Sequence, residues 1–344
     1  MRVLMVVGLH ILGGTSTVIE NLADQLGRRG VEVTIGALAF RRIPPKGAYR
    51  VSVLPVYSPL KLKRFIDGFD VLHSHHPITN YLALVTPKPF VYHFHGAPES
   101  AKGGVLRFSM LLSVMAMKWA FAATIAVSEN GAMELKKHAN LRHVHVIRNG
   151  VNTNLFTQES DERFRRGSPQ FLFVGNLYKH KNVEELVLAL EELLEAYPKA
   201  HLQIVGGGHN YERLRHFVSR LKLDGHVELT GQVPDYELPY YYTSCDVYVT
   251  ASRWELFGLP LLEAMACGKP VVASSIPPHT ELVEKPKSGN VYSQGNIQDL
   301  CEKMTETYEN RGRYGRNALR FARKHDWSVV AERVLKIYGK ILYT

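Results

Sequence analysis

Short apolar runs alternate with longer amphipathic stretches along the chain. The apolar runs are residues 2–7, 31–38, 70–75, 90–95, 124–128, 143–149, 171–176, 202–208, 226–231, 246–252 and 270–275. Continuous apolar runs of this length are typical of strands that are buried on both faces. The segments between them have helical periodicity, as in 17–29 and 183–197, and helical crossovers join parallel strands. The pattern therefore predicts an α/β protein with parallel sheets.

The alternation lapses once, between Val151 and Gln170, where 157-TQESDERFRRGSPQ-170 is polar and charged. We interpret this segment as a linker between two doubly wound, Rossmann-like domains, 1–155 and 170–320. The tail, 321–344, carries apolar residues at helical spacing and predicts a final helix. Ligands of open parallel sheets bind beyond the carboxyl ends of the strands, so we expect a cleft lined by both domains.

The composition narrows the class of protein. Of the 344 residues, 45% are hydrophobic and 22% are charged, which is ordinary for a soluble globular protein. The apolar N-terminus lacks a small-residue cleavage site and is better explained by a buried strand than by a signal peptide. The segment 104–128 is interrupted by Arg107 and Lys118 and is not expected to span a membrane. Three scattered cysteines fit no disulfide framework or zinc site and suit the cytoplasm.

The net charge of +10 lies entirely in the first domain. Residues 1–155 contain 18 Lys and Arg against 8 Asp and Glu, whereas residues 156–344 contain 24 of each kind. Such an excess attracts anionic partners and favours peripheral association with the cytoplasmic face of a membrane or a lipid-linked, anionic acceptor. The cations on which this expectation rests are Arg41, Arg42, Lys61, Lys63 and Arg64. The alternative is a charged surface that only maintains solubility. The sequence contains no nucleic-acid-binding module, so nucleic acid is not an expected partner.

Two glutamates, Glu255 and Glu263, enclose the almost wholly apolar segment ELFGLPLLE. Pro260 favours the first turn of a helix and Gly268 its end, which places Glu255 before the helix and Glu263 about one turn inside it. A helix N-terminus attracts phosphate, and carboxylates accept hydrogen bonds from hydroxyl groups. A nucleotide sugar carries both kinds of group. A buried helix with two solvated glutamates is the alternative.

Other strand ends provide further candidates. Gly13 and Gly14 follow the first apolar run and allow backbone to approach a ligand, although a simple turn explains them equally. Asn176 ends the run 171–176, and Lys179 and Lys181 follow it. An ammonium group suits a diphosphate. A solvated loop is the alternative for these lysines.

Patterns for metal ligands are sparse. The sequence contains no Asp-x-Asp, so no metal ion is expected at a diphosphate. His73 and His75 share one face of a strand, as metal ligands of some hydrolases do, and His93 and His95 repeat this spacing. The sequence does not identify further ligands at other strand ends. A metal-dependent hydrolase that uses His73 and His75 therefore stands as an alternative function.

In their order and spacing, these motifs resemble those of retaining glycosyltransferases of the GT4 type, which have the two-domain GT-B fold. The resemblance covers nearly the whole chain and is carried by the N-terminal glycine pair, HFHG, VGN with KHKN, IVGGG and ELFGLPLLEAMACGKPVVAS. It implies transfer of a sugar from a nucleotide-sugar donor to an acceptor hydroxyl, with retention and without a metal or other cofactor. It also implies that the final helix crosses back onto the first domain.

The resemblance implies a role for each candidate residue. Lys181 would neutralise the diphosphate, Glu255 would bind a hydroxyl of the donor sugar, and Glu263 would bind the ribose. His95 would bond the sugar from the first domain, and Gly14 would admit the diphosphate. Further contacts with the donor are implied for Gly13, Asn176, Phe257, Gly258 and Leu259.

Asn176 departs from the family pattern, which usually has an arginine there to accompany the lysine. Asparagine donates a hydrogen bond but brings no charge, and Lys179, His180 and Arg253 are candidates to compensate. A front-face reaction and a covalent glycosyl-enzyme both agree with the sequence. A nucleotide-sugar epimerase or hydrolase on the same fold, and a protein that binds nucleotide sugars without turnover, also remain as alternatives.

Overall fold

The computed structural model describes residues 1–10, 13–42, 44–84, 86–96, 118–141 and 143–343. The chain forms two compact units, one of Met1–Gly150 with Trp327–Thr344 and the other of Val151–Asp326. Each unit is built on one sheet, and every strand pair in the two sheets is parallel. The predicted α/β fold with two doubly wound sheets is confirmed.

The first unit has a seven-stranded sheet with the order β3-β2-β1-β4-β5-β6-β7. Its strands are β1 (Arg2–His10), β2 (Glu32–Phe40), β3 (Arg50–Val53), β4 (Val71–Ser74), β5 (Phe90–Phe94), β6 (Ala123–Ala126) and β7 (His145–Val146). Its first helices are α1 (Gly14–Gly27), α2 (Pro59–Asp67) and α3 (Glu129–Ala139). All residues of β4 and β5 are buried, as their apolar runs predict. The direction of winding reverses between β1 and β4.

The second unit has a six-stranded sheet with the order β10-β9-β8-β11-β12-β13. Its strands are β8 (Gln170–Val174), β9 (His201–Val205), β10 (Val227–Gly231), β11 (Val247–Thr250), β12 (Val271–Ser274) and β13 (Gly289–Tyr292). Its helices are α4 (Glu184–Leu193), α5 (Tyr211–Arg220), α6 (Leu238–Ser244), α7 (Leu259–Ala266), α8 (Pro277–Val283), α9 (Ile297–Glu309) and α10 (Arg311–Ala322). Here the winding reverses between β8 and β11.

The final helix, α11 (Trp327–Tyr343), packs on α1 of the first unit, so the chain returns to this unit as the resemblance implies. Its buried residues are Trp327, Val330, Ala331, Val334, Ile337 and Tyr338. The helix predicted over 321–344 was placed too early, because residues 323–326 are held in another conformation. The amide of Val151 donates to the carbonyl of His325 at 2.9 Å, and Thr153 donates from its amide and hydroxyl to the Asp326 carboxylate at 3.1 and 2.7 Å.

The polar segment interpreted as a linker packs on the second unit. The Phe164 ring lies 4.7 Å from the Tyr241 ring, between centroids, and Arg165 forms an ion pair with Asp246 at 2.8 Å. The segment is therefore held on the second unit by aromatic and charged side chains, and its polar residues form its exposed outer face.

Strands β3 and β13 were not predicted. β3 has only four residues and is mostly exposed at the edge of its sheet, so it produces no apolar run. β13 begins with Gly289 and Asn290, which are unfavourable in strands.

The apolar segment 104–128 lies largely outside the described residues. Among the helices that are described, none has both the length and the apolar character that a bilayer crossing requires. Cys245, Cys267 and Cys301 are all free thiols.

Candidate active site

The N-terminus of α7 lies where the ELFGLPLLE segment predicts it. Gly258 precedes the helix with a φ of 99°, a left-handed conformation that favours glycine, and Pro260 lies in the first turn. Among the described residues no side chain caps this end, and no acidic residue lies in the first turn. The helix end therefore keeps its positive dipole and amide donors for an anionic ligand.

Lys181 and Glu255 form an ion pair beside this helix end. Lys181 is the last residue of the 3-10 turn Lys179–Lys181 after β8, and its ammonium donates to Glu255 Oε1. The Ser252 hydroxyl donates to the same oxygen at 2.9 Å. Each charged side chain is only 15% exposed. The structure therefore pairs two residues to which the resemblance assigns separate groups of the donor.

The ion pair keeps Glu255 in its anionic form. Burial alone would raise the pKa of Glu255, but the charges of Lys181 and His279 and the hydrogen bonds from Lys181 and Ser252 outweigh burial and lower this pKa. A carboxylate in these surroundings accepts hydrogen bonds at neutral pH. Its charge is balanced only while Lys181 stays in place.

Glu263 has the opposite electrostatic character. Its carboxyl accepts a hydrogen bond of 2.7 Å from the hydroxyl of Tyr242, a wholly buried residue of α6. Burial raises the pKa of Glu263 to about 7, although the bond from Tyr242 acts in the other direction. Burial raises the pKa of Tyr248, and the charges of the nearby Glu255 and Glu263 raise it further. Glu263 is thus a partly desolvated carboxyl that gains or loses its proton near neutral pH.

His279 belongs to the same site and was missed by the sequence analysis. It is wholly buried on α8, with Nδ1 3.2 Å from both the hydroxyl and the carbonyl oxygen of Ser274. A Cβ at Gly258 would lie 3.6 Å from its ring. Burial lowers the pKa of His279 to about 4, although Glu255 raises it. A single histidine has no spacing pattern, and the available signal was its place in the first helix after the apolar run 270–275.

The IVGGG glycines allow two loops to approach each other. A Cβ at Gly206 would lie 2.1 Å from the Gly175 carbonyl oxygen, and one at Gly208 would lie 2.8 Å from that of Leu177. Asn176 lies between these two contacts and is partly exposed. The glycines are therefore required for packing at the carboxyl ends of β8 and β9, and this packing fixes the loop that leads to Lys181.

Two of the three residues proposed to compensate for Asn176, Lys179 and Arg253, line a separate cavity. The Arg253 guanidinium donates to Asn182 Oδ1 at 3.3 Å, and its amide donates to the His180 carbonyl at 2.7 Å. Arg253 and Lys179 line a cavity of about 780 Å³ that neither Glu255 nor Glu263 lines. In this structure the cation paired with Glu255 is Lys181.

The candidates of the first unit also lie at strand ends. Gly13 precedes α1 and Gly14 begins it, and a Cβ at Gly13 would meet no atom within 4 Å. His95 follows β5 and is 8% exposed, with Nε2 3.0 Å from Nδ1 of His75. Burial lowers the pKa of His95 to about 4, so the ring is uncharged at neutral pH.

Two family descriptions match the chain. Residues 154–325, half of the chain, match the family described as glycosyl transferases group 1, and residues 12–155 match Glycosyltransferase Family 4. The chain belongs to the group 1 glycosyltransferases. The protein is thus an enzyme of sugar transfer, which favours this function over the epimerase and hydrolase alternatives.

Relatives of this glycosyltransferase match over nearly its full length. The phosphatidyl-myo-inositol mannosyltransferase of Mycobacterium leprae is 28% identical, over 96% of this chain and 93% of its own. Sucrose-phosphate synthase of Thermosynechococcus elongatus has a TM-score of 0.83 at 21% identity, covering 99% of this chain and 98% of its own. Anabaena Alr3699/HepE in complex with UDP-glucose has a TM-score of 0.80 at 21% identity, covering 99% and 100%. The structural likenesses show the GT-B fold.

Glu263→Gln is expected to make the glycosyltransferase more stable in alkaline solution. The folded-state pKa of Glu263 is raised, from 4.5 to about 7. The contribution of the protonated carboxyl is therefore fully present below pH 4.5 and is lost as the pH rises through 7. Because the side chain is partly exposed, we expect a gain of about 2 kcal/mol in the free energy of unfolding at pH 8 and little change at pH 5. Denaturant unfolding of the variant and the wild type at both pH values measures this change in the free energy of unfolding.

The matched control is Glu191→Gln on the exposed face of α4, which should leave the unfolding curve unchanged at either pH. Equal effects of Glu263→Gln at pH 5 and pH 8 would contradict the assignment of a raised pKa to Glu263.

Proposed function

We propose that this glycosyltransferase transfers a sugar from a nucleoside-diphosphate sugar to an acceptor hydroxyl, with retention of configuration and without a metal ion at the diphosphate. The observation that carries the proposal is the buried ion pair of Lys181 and Glu255 beside the open N-terminus of α7. A ligand that contains both a phosphate group and a hydroxyl group supplies an anion for Lys181 and a hydrogen-bond donor for Glu255. A sugar diphosphate contains both groups.

The donor would exchange partners with the ion pair. The diphosphate accepts hydrogen bonds from the Lys181 ammonium and from the amides of Phe257, Gly258 and Leu259, while a sugar hydroxyl donates to Glu255. Glu263, one turn further along α7, accepts from the ribose hydroxyls. The solved complex of Alr3699/HepE with UDP-glucose, a protein of the same fold, supports a nucleotide sugar as the donor.

The reaction would proceed by electrostatic stabilisation of the leaving diphosphate. Negative charge increases on the diphosphate as the bond to the sugar breaks, and Lys181 and the α7 dipole would stabilise that charge. Preorganised groups of this kind lower a barrier because they need no reorganisation during the reaction. These two sources of positive charge take the part that a metal ion has in enzymes with Asp-x-Asp, which supports metal-independent transfer.

A donor assay tests the proposal. We expect the purified enzyme to release a nucleoside diphosphate from one donor of a panel of nucleotide sugars, faster when an acceptor is present, and equally fast when EDTA is added with the substrates. The anomeric configuration of the product, measured by NMR, should match that of the donor. Product with inverted configuration, or transfer that stops on adding EDTA, would refute the corresponding part.

Lys181→Ala is expected to reduce kcat by about 10²–10³, which is about 3–4 kcal/mol of transition-state stabilisation. The variant also leaves Glu255 buried without its cation, so its stability should fall. Steady-state rates and denaturant unfolding of the same preparation measure the two effects.

A second variant separates charge pairing from catalysis. Lys181→Ala combined with Glu255→Gln removes the unpaired charge, so stability should recover while the rate stays low. Lys199→Ala, an exposed lysine of the same unit, serves as the control and should change neither quantity. A Lys181→Ala enzyme with the wild-type rate would remove this residue from the site.

The first unit carries a surface suited to an anionic membrane or a lipid-linked acceptor. Val53, Tyr57 and Leu60 are 61%, 77% and 59% exposed, and Lys61 and Arg64 of α2 are exposed beside them in the sequence. The Lys61 ammonium lies 5.5 Å from the centre of the Tyr57 ring. Exposed apolar side chains together with cations are typical of peripheral membrane binding. The name of the M. leprae relative includes a phospholipid, which agrees with such an acceptor.

Vesicle binding tests this surface. We expect the enzyme to bind phosphatidylcholine vesicles that contain phosphatidylglycerol, and to bind them less strongly as salt increases. Lys61→Ala with Arg64→Ala should weaken binding about tenfold or more, since each cation near the surface contributes about 1 kcal/mol. Lys136→Ala with Lys137→Ala, exposed on α3, is the matched control. Equal binding to neutral and anionic vesicles would exclude the electrostatic component.

A further inference from the structure

Four histidines are stacked on one face of the first unit's sheet. His73 lies on β4 and His93 on β5, while His75 and His95 follow these strands. The ring centres of His73, His75 and His93 are 4.3 to 5.2 Å apart, and His95 is stacked on His93 at 4.7 Å. The exposed fraction is 0% for His73, 3% for His75 and 2% for His93. Because β4 and β5 are adjacent, a spacing of two residues on each strand places all four rings together.

Several ring nitrogens of this cluster are buried without a hydrogen-bond partner among the described residues. They are Nε2 of His73, Nε2 of His75 and both ring nitrogens of His93. Most buried side-chain polar atoms in proteins have a partner, so three adjacent imidazoles with unsatisfied nitrogens need an explanation. A ligand shared by the three rings would satisfy one of these nitrogens on each ring.

The remaining nitrogens of two rings are hydrogen-bonded in a way that suits ligation. His73 Nδ1 lies 2.6 Å from the Tyr338 hydroxyl of α11, and His75 Nδ1 lies 3.0 Å from His95 Nε2. When each Nδ1 carries the proton and donates it to these partners, each Nε2 has a free lone pair. Histidines that bind metal ions almost always donate their second N–H in this manner.

The three candidate nitrogens are close enough to converge on one ion. One ligand atom from each of His73, His75 and His93 lies within 4.8 Å of the others. Tetrahedral coordination at 2.0–2.1 Å places ligand nitrogens about 3.3 Å from one another. Side-chain rotations that move these nitrogens by about 1 Å would complete the geometry.

We propose that His73, His75 and His93 bind one Zn²⁺ ion between the sheet of the first unit and α11. Imidazole nitrogens suit zinc, and three of them leave one coordination position for water. The ion would connect the sheet to the C-terminal helix, because the Tyr338 hydroxyl of that helix is hydrogen-bonded to its His73 ligand. The site lies wholly in the first unit and does not depend on the donor chemistry proposed above.

Zinc retention tests the site on the full chain. Protein freed of metal with a chelator is incubated with one equivalent of Zn²⁺, passed through gel filtration, and analysed for zinc and for thermal unfolding. We expect one zinc ion per chain and a Tm several degrees above that of the metal-free protein. With Co²⁺ in place of zinc we expect the strong visible absorption of a tetrahedral site.

His93→Leu should lower zinc affinity at least 100-fold, because it removes one of three ligands. Its metal-free Tm should be no lower than that of the wild type, since leucine has a similar volume and leaves no unsatisfied nitrogen. His143→Gln, an exposed histidine of the same unit, is the matched control and should retain zinc. Should the leucine variant not fold, His93→Gln is measured in its place.

Two results would overturn the proposal. One is a wild-type chain that elutes without zinc and has the same Tm with and without the ion. The other is a His93 variant that keeps zinc as tightly as the wild type, which would assign the ion to other histidines. Sugar transfer is measured separately, so neither result bears on the donor site.

Discussion

The candidate active site depends on one buried ion pair. Lys181 follows β8 and Glu255 follows β11, which are neighbouring parallel strands at the point where the winding of the second sheet reverses. At such a point the two connections leave in opposite directions and open a crevice at the carboxyl ends of the strands. Sheet topology therefore brings together two oppositely charged residues 74 positions apart, and each offsets the desolvation of the other.

Glu255, which precedes α7, and Glu263, which lies in it, have opposite pKa shifts for different reasons. Glu255 has a cation and stays ionised, whereas Glu263 has only a phenol and a raised pKa. A carboxyl that is expensive to ionise reduces stability, and such groups cluster at functional sites. Their opposite shifts agree with the two different donor groups, a sugar hydroxyl and the ribose, that the proposed function assigns to them.

Patterns that depend on local sequence were predictable, and those that depend on distant neighbours were not. The long apolar runs gave the buried strands, and Pro260 with Gly268 gave both ends of α7. β3 was not predicted because this edge strand is mostly exposed and has no apolar run. The start of α11 was not predicted because it is determined by hydrogen bonds from Val151 and Thr153 to residues more than 170 positions later in the chain. The Lys181–Glu255 pair and the position of His279 likewise follow from which strands are adjacent.

Adjacent strands also bring polar side chains together in the first unit, but among the described residues those side chains do not form an ion pair. There β4 and β5 bring together four histidines, and no described carboxylate forms an ion pair with any of them. In the second unit Lys181 after β8 pairs with Glu255 after β11, whereas the ring nitrogens of His93 have no hydrogen-bond partner among the described residues. The ring nitrogens that lack a described hydrogen-bond partner offer their lone pairs to a soft or borderline cation. An ion there would explain why a polar cluster persists beneath the returning helix, where apolar side chains would pack without unsatisfied atoms.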